Sequence, residues 1–208
     1  MMTRACGGAV WHQKHKSQGI IPKGLTGLDK EATWSYSKAD GWIYGHGSFT
    51  IVSHRIPILG LFQWMPNSAH EAKRLETEIV AFETLVKVVC MDSKADDEKL
   101  YSRLKQDYSI KLLTVMRKKM NKSEARQKML REQNQPWMRQ IYQKRSVTVE
   151  PMQGLVKELF ELQTCWMRGD ESNRWLFAAM GIAVQVAQRN AYLRGASTWN
   201  IKEEVLGL

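Results

Sequence analysis

Cysteine is scarce in this 208-residue chain: Cys6, Cys90 and Cys165 are odd in number, widely spaced and form no CxxC pair. That excludes a disulfide-stapled secreted scaffold and a zinc ribbon, and it fits a reducing, cytoplasmic compartment. Long apolar runs are missing too. The longest, Trp175 to Val184, is interrupted only by Gly181 and falls far short of a membrane span, so no membrane partner is expected. The opening Met1-Met-Thr-Arg-Ala-Cys6 has no apolar h-region of the kind a signal peptide needs. With only five prolines, no linker rich in Pro, Gly or Ser and no internal repeat, the chain reads as one domain.

Acidic residues are nearly absent from one place. Between Lys111 and Arg145 stand eleven Lys or Arg and only two acids, Glu124 and Glu132, so almost all of the net charge of +10 lies there. Concentrated positive charge is the footprint of a polyanionic partner, and nucleic acid is the reading favoured over a solvated basic loop. Hydrophobic residues make up 43% of the chain and include eight Trp, enough to exclude a disordered protein.

Residues 1–33 read as an irregular segment. His12 and His15 are three apart but have no Cys or acidic partner nearby, so zinc is not expected. Gly19 to Gly24 reads as a turn and Asp29 to Trp34 as a loop. Gly41 to Ser53 alternates large and small residues as a strand does, and Ile58 to Trp64 can return antiparallel to it. His46 and His54 are read as packed or surface residues. Asn67-Ser68 should cap a helix reaching about Leu85. Val86 to Asp92 reads as a short buried parallel strand with Asp92 at its carboxyl end, where open α/β sheets place ligands, and a solvated Asp opening a turn is the equal alternative on this segment alone. A helix over 96–105, a strand over 110–116 and a final helix from Glu171 to Leu193 complete the pattern. The final helix carries Trp175, Ala179, Ile182, Val186 and Leu193 along one stripe.

The most informative stretch runs from Tyr142 through Arg145 and Glu150 to Lys157. Pro151 places Glu150 in a helix's first turn, where the macrodipole favours a carboxylate. Lys157 follows two turns later on the same face, an arrangement suited to a divalent cation beside a phosphate backbone, although on this segment alone a solvated surface pair is the commoner origin of such spacing.

In this order the elements resemble the RNase H-like catalytic domain of bacterial insertion-sequence transposases of the DDE (Asp-Asp-Glu) family, over about residues 30–195. Asp40-Gly-Trp-Ile-Tyr-Gly-His-Gly is similar to the glycine-aromatic strand after the family's first catalytic Asp. Pro66-Asn-Ser-Ala-His-Glu71 resembles the segment after its third strand, and Val88-Val-Cys-Met-Asp92 the strand bearing its second Asp. Tyr142, Arg145, Glu150 and Lys157 resemble its Tyr-Arg-Glu-Lys signature, with Arg145 and Glu150 one residue further apart than is commonest. The resemblance implies a mixed sheet flanked by helices, with an N-terminal segment 1–33, a catalytic domain 34–195 containing a basic insertion 117–145, and a tail 196–208.

It implies metal-dependent DNA cleavage and strand transfer as well. Asp92 and Glu150 would be catalytic residues and ligands of Mg²⁺ or Mn²⁺. Tyr142, Arg145, Lys157, Arg117, Lys118 and Lys119 would bind DNA at transposon ends. No Asp precedes Asp29, and neither Asp29 nor Asp40 stands where the family's first catalytic Asp does. The expectation is therefore an N-terminally truncated copy of impaired activity, its first, central strand missing or incomplete unless Cys6 to Trp11 fills part of the gap. Such a copy would self-associate or pair with a full-length transposase. The alternative is a non-catalytic basic DNA-binding remnant.

Overall fold

The computed structural model describes residues 1–38, 40–116 and 123–206. The chain divides into two compact units, residues 1–69 with 148–208, and residues 70–147. Each is a small sheet with helices, the mixed α/β construction that the resemblance implies.

The first unit is organised by the long strand Gly41–Val52 (β3), which pairs antiparallel with Leu59–Pro66 (β4) and is bulged between Ile51 and Val52. Two strands that the sequence reading left irregular also pair with it: Met2–Arg4 (β1) and Thr33–Ser37 (β2). Gly45 has Thr33 and Arg4 as its two cross-strand neighbours, and His46 has Thr3 and Pro66. Cys6 to Trp11 adds no strand, and the short helix Gln13–Ser17 (α1) follows it. Indole hydrogen bonds tie the N-terminal segment down instead. Trp11 Nε1 donates to the Ile20 carbonyl at 2.8 Å, and Trp34 Nε1 donates to the Trp11 carbonyl at 2.8 Å. Ala5, Trp11, Ala32 and Tyr44 form a small separate core there.

Gly45 is where β1 docks. A Cβ at this position would lie 1.9 Å from the Thr3 carbonyl oxygen and 2.9 Å from the Ala5 nitrogen, both backbone atoms that cannot rotate away. Gly45→Ala should therefore displace β1 and cost about 3 kcal/mol. Amide exchange would show protection lost at residues 2–5 first, whereas a uniform small loss would mean the strand accommodates the methyl group.

Val149–Leu159 (α6) and Asp170–Leu193 (α7) cover this sheet. Helix α6 buries Met152, Val156 and Leu159, spaced four and three residues apart. Helix α7 packs on β4 through Phe177, Met180, Gly181 and Val184. Phe177 stacks on Phe62 with centroids 5.4 Å apart, and Gly181 lets the helix approach the Phe62 backbone. The stripe read from the sequence is not this packed face. Trp175, Ala179, Ile182, Val186 and Leu193 are exposed, while polar Asn173 and Gln188 are buried.

In the second unit, Val88–Cys90 (β5) and Lys111–Leu113 (β6) pair in parallel, Val88 opposite Lys111, joined by the helix Glu98–Tyr108 (α3). Asp97 caps α3, accepting from Lys99 N at 2.8 Å, and Ser109 closes it in the left-handed conformation. The helix before β5, Glu71–Ile79 (α2), starts later and stops earlier than expected. Its N-cap is His70, without a side-chain bond, and a 3₁₀ turn replaces its last expected residues. Asn67, expected to cap it, is buried and donates to the Ile43 carbonyl at 3.2 Å. The basic run contains two helices, Glu124–Gln133 (α4), capped by Ser123, and Pro136–Gln143 (α5), with Pro136 in its first turn.

Candidate functional site

In the second unit the chemistry gathers at the carboxyl end of β5. Asp92 follows the strand half-buried, and its carboxylate accepts the Lys94 N–H at 2.8 Å, which fixes it at the head of a 3₁₀ turn. The Thr114 hydroxyl, just past β6, donates to the Asp92 carbonyl and ties the two strand ends together. Thr114 also lines a cavity of about 300 Å³ together with Leu113, Met138, Arg139 and Tyr142.

Arg145 belongs to the same surroundings. Its guanidinium stands over the Tyr142 ring, 5.8 Å from the centroid. It is also close enough to Cys90 to act on its thiol. Burial pushes that thiol up to about 11, and the Arg145 charge works against the rise. One cation thus reaches the strand end that carries Asp92. A second ring pair, Lys111 Nζ over Trp137 at 5.0 Å, adds charge and an exposed aromatic surface.

Two neighbours of Asp92 are otherwise engaged. Asp96 is buried and accepts both guanidinium nitrogens of Arg126, with Nη2 to Oδ2 at 2.7 Å. Asp97 caps α3. Arg126 counted among the cations of the basic run, yet it points inward. Lys128, Arg131, Arg139 and Lys144 are exposed. Arg117, Lys118 and Lys119 lie outside the described residues.

In the first unit, Glu150 is exposed in the first turn of α6, as the position of Pro151 required, and Lys157 lies in its last turn. Among the described residues, no group of three or more His, Cys, Asp or Glu side chains could hold a metal ion.

Sequence reasoning missed a buried polar chain in the same unit. Trp64 Nε1 donates to His46 Nδ1 at 3.0 Å, so the ring carries its proton on Nε2 and donates it to Asp29 Oδ2 at 2.9 Å. Asp29 also accepts the amides of Gly169, Glu31 and Ala32, and Glu31 accepts that of Asp170. Gly169 is the N-cap of α7 and has no side chain to cap with, so carboxylates from a distant loop do that work. Burial works to raise the Asp29 carboxyl, but the bonds from His46 and Gly169 outweigh it and hold it below the ordinary carboxylate range. Nothing local signals such a pairing, because the partners are 17 and 140 residues apart. His54 lies beyond the end of β3. Asp40 sits exposed in the turn before β3, near the Ser37 hydroxyl at 3.3 Å.

Residues 96–188 match the family model of the transposase DDE domain. The matched segment contains Tyr142, Arg145, Glu150 and Lys157 and begins beyond Asp92. No curated protein and no solved structure matches the chain. Among the described residues, no helix is long and apolar enough to cross a membrane.

Proposed function

We propose, on the premise that residues 96–188 belong to the transposase DDE domain family, that this chain binds DNA and acts in its metal-dependent cleavage and strand transfer. The observation carrying the proposal is that the matched segment encloses the whole Tyr142-Arg145-Glu150-Lys157 pattern. Asp92 and Glu150 are the proposed catalytic carboxylates. Tyr142, Arg145 and Lys157, together with Arg117, Lys118 and Lys119, are the proposed DNA contacts, at transposon ends in a cytoplasmic setting.

Chemistry supports a role for each group. Arg145, held over Tyr142, presents a planar fork that suits phosphate oxygens, and such contacts orient a duplex without reading its sequence. Lys157 leaves α6 on the same face as Glu150. Hard carboxylate oxygens are the donors Mg²⁺ or Mn²⁺ prefers. A bound divalent ion would supply charge stabilisation at the phosphoryl oxygens. The donors fit in kind. The proposal is an impaired enzyme, because neither Asp29 nor Asp40 stands where the family's first catalytic Asp does, and the second reading is a non-catalytic DNA-binding protein.

DNA binding should weaken steeply with salt. Arg145→Ala should lower affinity about tenfold across unrelated sequences and reduce the salt slope by about one. Plasmid nicking in Mg²⁺ or Mn²⁺ should be weak and should vanish in both Asp92→Ala and Glu150→Gln. Binding without nicking that depends on those two residues would select the second reading, and no binding even at low salt would sink both.

A further inference from the structure

Helix α7 is apolar on two opposite faces, and only one of them is packed. The outer face exposes Trp175 by 72%, Ile182 by 61%, Val186 by 53% and Leu193 by 65%, with exposed Ala179 between them. These five positions follow one another at steps of four, three, four and seven residues, a straight seam along a 24-residue helix. A seam of this spacing is the kind that meets another helix.

We propose that this face of α7 is the core of an antiparallel, two-fold contact with a second copy of this chain. The charges flanking the seam choose that occupant. With Trp175 at the centre of the stripe, Glu171 and Arg189 both lie about 40° to the same side, one near each end of the helix. Both are exposed, and neither has an ion pair among the described residues. In an antiparallel pair related by a two-fold axis, equivalent flanks face each other and opposite ends meet. Glu171 of each copy then meets Arg189 of the other, giving two identical ion pairs. The same register sets Trp175 against Val186 of the second copy and Ile182 against its Ala179, large against small. A parallel arrangement would gather the acidic ends together and align the two helix dipoles.

Area agrees with the assignment. The seam exposes on the order of 500 Å² per copy, against about 800 Å² per partner in a standard interface. The polar rim of Glu171, Ser172, Arg189 and Asn190 accounts for much of the remainder. This contact is independent of any DNA-processing role.

Sedimentation velocity on the full chain over a range of concentrations tests it. The wild type should be a dimer, and Ile182→Glu a monomer with an unchanged circular dichroism spectrum, because that side chain is exposed. Glu171→Arg alone and Arg189→Glu alone should each weaken self-association at least about tenfold, since each sets like charges face to face twice. An equimolar mixture of the two variants should restore the dimer, because both ion pairs re-form, one in the native sense and one reversed. A monomeric wild type, whether or not it binds neutral lipid vesicles through this face, would overturn the proposal. So would a mixture that dimerises no better than either variant alone.

Discussion

Arg126→Ala should lower the stability of the 70–147 unit by about 3–5 kcal/mol, although Arg126 lies within the most basic segment of the chain. Its guanidinium and the Asp96 carboxylate are both buried and meet through two parallel N–H···O bonds. Taking the pair out of water is costly, and this bidentate geometry offsets the cost. Removing the guanidinium leaves the carboxylate in place without its strongest partner. Methionine at the same site should cost nearly as much, which distinguishes lost charge from lost volume. Hydrogen exchange over 93–108 and 123–133 would show the opening, and wild-type protection there in Arg126→Ala would refute the account.

The same substitution separates structure from DNA contact along α4. Arg126–Asp96, Ser123 donating to Glu98 at 2.9 Å, and Glu132 with Lys105 and Tyr101 fasten α4 to α3 and to the turn after Asp92. Glu132 shows this fastening in its acidity. Burial would raise its carboxyl, but Lys105 and Tyr101 outweigh burial and hold it below the ordinary range. Cations of the outer face, such as Arg131, have no such task. Arg131→Ala should change stability by less than about 0.5 kcal/mol while lowering DNA affinity, the reverse of the pattern at Arg126.

Arg126 illustrates what a sequence can and cannot convey. Strands β3 and β4 were legible because alternation and turn residues are local. Helix α6 was legible because Pro151 dictates where a helix starts. The basic run hid α4 and α5 because its charge dominates the pattern, although Ser123 and Pro136 are ordinary start signals. Strands β1 and β2 were invisible because three to five residues carry too little periodicity. In α7 the stripe of Trp175, Ala179, Ile182, Val186 and Leu193 is exposed and lies opposite the packed face. The packed face holds Asn173 and Gln188, whose amides satisfy buried backbone groups: Gln188 accepts the Leu59 N–H at 2.8 Å and donates to the Pro57 and Thr198 carbonyls. A polarity rule counts such residues as outward-facing, and only their partners reveal otherwise. The proposed residues Tyr142, Arg145, Glu150 and Lys157 stand in a short motif inside the matched segment, whereas the Asp29–His46 chain, built from residues distant in sequence, has no local signal.

Asp29→Asn tests that chain, and the expected loss is about 3 kcal/mol at neutral pH. Both Asp29 oxygens act as acceptors. Oδ1 serves the Glu31 and Ala32 amides, and Oδ2 serves His46 Nε2 and the Gly169 amide. Asparagine must turn an NH₂ group toward one of these donor pairs. Imidazole cannot relieve the clash by changing tautomer, because its Nδ1 must remain an acceptor for the Trp64 indole. The pH dependence gives the sharper readout. Asp29 is held below its ordinary range, so its contribution is complete above the unfolded value of about 3.9 and disappears as pH falls through the lower folded value. Asp170, next in the chain after Gly169, is displaced the other way: burial and the Glu31 charge raise its carboxyl. Its ionised form opposes folding, and protonation on acidification relieves that opposition, so Asp170 cannot cause the acid loss attributed to Asp29. Urea unfolding should find the gap between wild type and Asp29→Asn widest above about pH 5 and closing below about pH 4. A gap independent of pH would mean that Asp29 holds the head of α7 by shape alone, with its ionised carboxylate contributing nothing.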